Sequence, residues 1–151
     1  MGQGALAHLT PKEISDCKAL IARHEGKRSK PYLCTADKIT IGIGRNLEDK
    51  GLNDEEISFL FKRDCADALH DAARLFASFE TLDSVRKIAL IDMAFNLGYD
   101  RLSQFKNMRA AIEMNDWNEV ANQAMDSRWY RQVGIRGKRI VEMLRTGRMP
   151  E

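Results

Sequence analysis

Glu25, Cys34 and Thr40 lie within sixteen residues of one another and bring together a proton donor, a thiol and a hydroxyl. An acid facing a group that can hold or activate water is the arrangement that hydrolyses a glycosidic bond with inversion. The acid protonates the departing oxygen while water attacks from the opposite face, across a gap of about 6.5–9.5 Å. A thiol beside a histidine offers another chemistry, nucleophilic attack, and Cys34 with His24 or His70 keeps that alternative open. A thiol of ordinary pKa is only slightly ionised at neutral pH. Cys34 can therefore serve as a partial thiolate, as a hydrogen-bonding partner for water, or as a covalent nucleophile.

The surrounding sequence sets where these groups stand. Thr10-Pro11-Lys12-Glu13 reads as a helix start, with Thr10 as cap, Pro11 at the first turn and Glu13 completing a capping box. Ile14, Cys17, Leu20 and Ile21 recur at helical spacing, and Gly26 ends a helix over 11–25. Glu25 then sits in the last turn, where the partial negative charge of the helix terminus disfavours a carboxylate. Pro31–Cys34, a turn at Thr35–Lys38 and Ile39–Ile43 predict a β-hairpin. The alternation puts Ile39, Ile41 and Ile43 on one face and Thr40 with Gly42 on the other, which Gly42 and Gly44 leave bare for close approach. The fold-back brings Cys34 opposite the second strand, so thiol and hydroxyl can line one mouth.

Beyond Asn53 the chain reads as helical. A second capping box, Asn53 to Glu56, opens a long amphipathic helix over about 54–78. Val85–Leu97 is apolar nearly all round, which places it at the centre of a bundle and makes Gly98 its cap. Shorter helices are predicted at Gln104–Met114, Asp116–Met125 and Arg136–Thr146, the last closed by Gly147. The expected fold class is α+β, predominantly α. A small β-hairpin lobe (about 26–52) is joined by the long helix to a helical lobe (about 79–148) packed with helix 11–25.

Length and composition narrow the rest. The chain has 151 residues, 44% apolar and 30% charged, with three prolines and ten glycines, which suits one domain and excludes a disordered or collagenous chain. No run approaches the ~20 apolar residues of a membrane span, and residues 1–10 lack the marks of a signal peptide, so synthesis in the cytoplasm is expected. Three cysteines without CxxC spacing argue against a disulfide framework, and Cys17 and Cys65 are expected in the core. No HExxH or CxxC…H pattern suggests a metal. Trp117 and Trp129 are expected in helix packing, and Met93, Met108, Met114 and Met125 in the core. The net charge of +2 conceals a basic stretch, Arg128–Arg148, with seven cations against Glu142. Attraction to an anionic envelope ranks above specific nucleic-acid binding as its reading.

Residues 23–44, Arg-His-Glu-Gly-Lys-Arg-Ser-Lys-Pro-Tyr-Leu-Cys-Thr-Ala-Asp-Lys-Ile-Thr-Ile-Gly-Ile-Gly, resemble the active-site segment of the phage-type lysozymes of the T-even-phage class. That segment runs Glu, eight residues, Asp or Cys, five residues, Thr, and both spacings recur here. Thr81–Gly98, Ser127–Tyr130, Arg136–Ile140 and Arg145–Gly147 extend the resemblance over residues 13–148. It implies a lysozyme-like fold and a muramidase that cleaves between N-acetylmuramic acid and N-acetylglucosamine in bacterial peptidoglycan. Glu25 would be its general acid, Cys34 would replace the commoner aspartate, and Thr40 would position water. Arg136 would pair with the glutamate, and Asn46, Phe95, Asn96 and Gln123 would border the saccharide cleft. The family usually has His where Arg45 stands and often Asn where Gln123 stands. No cofactor is implied, nor membrane insertion or a specific nucleic acid, and a monomer is expected. The expected setting is a phage endolysin that accumulates in the host cytoplasm and reaches the wall once the membrane is permeabilised. A lytic transglycosylase, and a non-catalytic wall- or nucleic-acid-binding helical module, are the other readings.

Overall fold

The computed structural model describes residues 8–150. Of the described residues 66% are helical, with one small antiparallel sheet, the predominantly α, α+β class expected from the sequence. The described residues divide into two compact units, 8–57 and 58–150, and each is described by itself.

The first unit opens with α1 (Pro11–Glu25), where the anticipated capping box forms in full. The Thr10 hydroxyl accepts from the Glu13 amide and the Glu13 carboxylate accepts from the Thr10 amide. The chain leaves α1 at Gly26, whose φ of 75° is open to glycine at little cost. Three strands follow, β1 (Arg28–Leu33), β2 (Ile39–Gly42) and β3 (Arg45–Asn46), paired antiparallel in the order β1-β2-β3. The hairpin is thus a three-stranded sheet, and its first strand begins three residues earlier than the sequence suggests. β3 is two residues long and carries no periodicity by which it can be read.

The anticipated faces of β2 are also revised. Ile39 and Ile43 are exposed, whereas Thr40 keeps only 3% of its surface and is the buried polar residue among the described ones. Thr40 itself is covered, whereas a side chain at Gly42 would meet open space and Gly44 admits the close approach of Glu25. Alternation stops at Gly42, where φ is 70° and the strand ends.

α2 (Asp54–Leu75) begins at the second capping box, with Glu56 and Asn53 exchanging side-chain-to-amide hydrogen bonds. In the second unit its buried positions are Ala68, Ala72 and Leu75, while the apolar Leu60, Phe61 and Leu69 are exposed. A 3₁₀ turn (Phe79–Thr81) leads to α3 (Ser84–Leu97), capped by the Asp83 side chain and ended at Gly98. Ala89, Leu90, Met93 and Ala94 are buried in it, as a central helix requires. Five more helices close the unit: α4 (Tyr99–Ser103), α5 (Lys106–Glu113), α6 (Trp117–Met125), α7 (Arg128–Val133) and α8 (Ile135–Thr146). α4 and α7 are too short to show a period and escape a reading by pattern.

Three expected core residues are not core. Cys17 is exposed, Cys65 is half-buried, and Met114, at 79% exposure, closes α5 at the surface. Met93 and Met108 are buried, and Trp129 is buried at the start of α7.

Candidate active site

Glu25 is the last residue of α1, and its side chain lies directly over the α-carbon of Gly44. A β-carbon built on Gly44 would stand 2.7 Å from the Glu25 carboxyl carbon, closer than side-chain atoms pack. Gly44 also has φ of 71°, which side chains rarely adopt, so glycine suits the position and leaves the carboxyl its place. The carboxyl itself is exposed. Gly44 is a site residue to which the sequence points only through the Ile41-Gly42-Ile43-Gly44 run.

Cys34 opens the turn between β1 and β2. Its amide donates to the Lys38 carbonyl (3.0 Å) and its carbonyl accepts from the Asp37 amide (2.9 Å), with Asp37 in the left-handed region at φ 60°. That fold wraps backbone amides around the thiol. The Lys38 amide above all, then the Ala36 amide and more weakly the Thr40 hydroxyl, hold the thiol below its ordinary range, against partial desolvation. Hydrogen bonds aimed at the sulfur favour its anion.

Thr40 stands beside it on β2. Its hydroxyl donates to the Lys38 carbonyl at 2.9 Å, the acceptor that also takes the Cys34 amide. One hydroxyl carries one proton, so Thr40 directs it either to that carbonyl or to the Cys34 sulfur. On the other side Thr40 pairs with Asn46 across β2 and β3, and with Tyr32 across β1 and β2. The Asn46 side chain is engaged in its own turn, accepting from the Asp49 amide and donating to the Asp49 carboxylate.

Arg45 lies between Gly44 and Asn46. One of its terminal nitrogens donates to the Gly51 carbonyl (3.1 Å) and to Glu56 (3.2 Å), and the other is ion-paired with the second Glu56 oxygen. The Glu56 carboxylate is held below its usual range, first by the Asn53 amide and then by Arg45.

The remaining expected residues belong to the second unit. Phe95 is exposed and meets Phe61 edge-on, ring centres 5.9 Å apart. Asn96 accepts from the Trp129 indole nitrogen at 2.8 Å, so its oxygen is committed while its amide hydrogens remain available. Gln123 donates to Glu119 at 2.7 Å and borders a cleft of about 590 Å³ with Arg101, Lys106, Asn107, Arg128 and Trp129. Arg136 donates to Asp92 on α3 at 2.8 Å, an acid that the motif does not reveal because it lies forty-four residues away. Among the described residues no cluster of three His, Cys, Asp or Glu side chains could hold a metal, and no helix is long and apolar enough to cross a membrane.

A small sheet carrying a thiol and a hydroxyl, a helix-end carboxylate seated on a glycine, and a helical unit with one polar cleft accompany a fold of the lysozyme-like class. The family itself follows from comparison, since the phage lysozyme pattern matches residues 22–151. The chain belongs to the phage lysozyme family, and at that level is a cell-wall-degrading glycoside hydrolase. It is 26% identical to probable T4-type lysozyme 2 of Dictyostelium discoideum, over 91% of this chain and 98% of that protein. It is 27% identical to the pre-baseplate central spike protein Gp5 of Enterobacteria phage T4, over 86% of this chain but 28% of that protein. Peptidoglycan hydrolase gp36 of Pseudomonas phage phiKMV is 26% identical over 95% of this chain and 17% of its own length.

Proposed function

We propose that the protein is a muramidase that hydrolyses the bond from N-acetylmuramic acid to N-acetylglucosamine in bacterial peptidoglycan. Glu25 gives its proton to the departing glycosidic oxygen. Water, held between Cys34 and Thr40, attacks the anomeric carbon from the opposite face and passes a proton to the Cys34 thiolate. The carbon–oxygen bond to the leaving sugar breaks as the new one forms, leaving Glu25 ionised and Cys34 protonated, and exchange with solvent restores both. Asn46, Phe95, Asn96 and Gln123 serve as glycan contacts, while the Arg136 guanidinium is engaged by Asp92.

The observation that supports this reading best is the Cys34 turn. The amides of Lys38 and Ala36 and the Thr40 hydroxyl shift this thiol toward its anion, which is the form that accepts a proton from water. A cysteine–histidine hydrolase is less well supported, because the groups that act on this thiol are amides and a hydroxyl, with no imidazole among them.

Digestion of purified peptidoglycan tests the proposal. New reducing ends at N-acetylmuramic acid, with solvent oxygen incorporated there, are expected. Anhydro-sugar ends would show a transglycosylase, and free amino termini without reducing ends would show an amidase or peptidase.

A further inference from the structure

The strand that carries the site is anchored from outside it. Gly44, Arg45 and Asn46 are consecutive, and each has a separate duty. Gly44 is the seat of the Glu25 carboxyl. Asn46 pairs with Thr40, while Arg45 itself pairs with Ile41. The acid side and the water side are therefore both referred to a stretch of three residues whose regular pairing is only two residues long. So short a strand has too few ladder hydrogen bonds to fix its own position.

The Arg45 guanidinium supplies the missing constraint. It reaches the Gly51 carbonyl at 3.1 Å and takes both oxygens of Glu56 in a planar fork, which fixes direction as well as distance. Glu56 is itself immobilised, because the same carboxylate accepts the Asn53 amide at 2.9 Å as half of the α2 capping box. Both partners are about 30% exposed, a depth at which a forked, doubly anchored pair is better ordered than an open surface bridge.

We propose that Arg45 and Glu56 form a positioning clamp for catalysis, tying the strand beneath Glu25 and beside Thr40 to the first turn of α2. The inference rests on the catalytic reading of Glu25 and Thr40 above. Neither clamp residue touches the reacting atoms. They act on kcat by holding Gly44 and Asn46, and through them the acid and the water-holding hydroxyl, in register.

The test is steady-state hydrolysis of a soluble peptidoglycan oligomer by wild type, Arg45→Gln, Glu56→Gln, the double variant and Asn53→Ala, all well below their melting temperatures. Glu56→Gln retains the capping acceptor and loses the charge of the fork. Asn53→Ala removes a capping side chain and leaves the fork intact, so it lowers thermal stability alone. Each clamp variant is expected to lose about tenfold in kcat with KM within about twofold, the scale of a small misplacement of reacting groups. The double variant should be no worse than the singles, as for residues acting as one unit. Unchanged kcat in Arg45→Gln, an equal kcat loss in Asn53→Ala, or additive losses in the double variant would each overturn the clamp while wild-type turnover stands. A wild type that releases no reducing ends would remove the catalytic reading itself, and the clamp with it.

Discussion

Residues 8–57 and 58–150 are held together by different physics. Every buried apolar residue among the described ones lies between Ala68 and Leu144, in the second unit. There Leu90, Met93, Leu102 and Ile112 lose all contact with solvent, and stability comes from close packing. The first unit buries one polar side chain, Thr40, and its order is written in polar detail: two capping boxes, a turn closed on Lys38, a fork from Arg45, and glycines with positive φ. The unit with the proposed acid and thiol is thus positioned by hydrogen bonds, which are directional and individually modest, while the other is a packed scaffold. Precision of better than about 1 Å at a reacting centre needs directional contacts, and a stable fold needs area.

Mutations should separate the two regimes. The largest effect on stability is expected for Phe76→Ala, which empties a site 1% exposed and should cost about 3–5 kcal/mol in denaturant unfolding. Ile39→Ala, at 43% exposure on the sheet, should cost well under about 1.5 kcal/mol, and equal costs would break the comparison. Next, Cys34→Ala should reduce wall hydrolysis about 100-fold with its melting curve nearly unchanged, whereas Cys34→Asp should keep activity. Full lysis by Cys34→Ala would remove the thiol from the chemistry. Thr10→Ala removes the α1 cap and should cost about 1 kcal/mol of stability. The smallest effect concerns ionisation. With Cys17 and Cys65 replaced by serine, alkylation of Cys34 should rise with pH at a midpoint below that of an ordinary thiol, since the Lys38 and Ala36 amides favour the thiolate. Thr40→Val deletes a weaker contribution and should move that midpoint slightly upward. A downward move would contradict the assigned hydrogen bond.

What could be read in the sequence follows the same division. Local signals were legible wherever one residue type does one job: both capping boxes, the Gly98 and Gly147 helix ends, and the all-round apolar α3. The spacing of Glu25, Cys34 and Thr40 was legible as a pattern, and the turn explains why the last two are neighbours. Features fixed by distant contact were not legible. β3 exists because Asn46 and Arg45 find Thr40 and Ile41 across a turn, and two residues carry no period. The Arg136 partner Asp92 and the Asn96 partner Trp129 are more than thirty residues away in the chain. The pattern around Cys17 marks one face of α1 as apolar, and periodicity alone does not say that such a face is covered.

The central claim is that Glu25 supplies the proton that cleaves the glycan. Glu25→Gln keeps the size of the side chain, and so its seat over Gly44, and removes only the transferable proton. Initial rates of reducing-end release from purified peptidoglycan should fall by about 10²–10⁴-fold in this variant, with circular dichroism and melting temperature unchanged. A Glu25→Gln protein that cleaves the glycan at a rate within a fewfold of wild type would contradict the account.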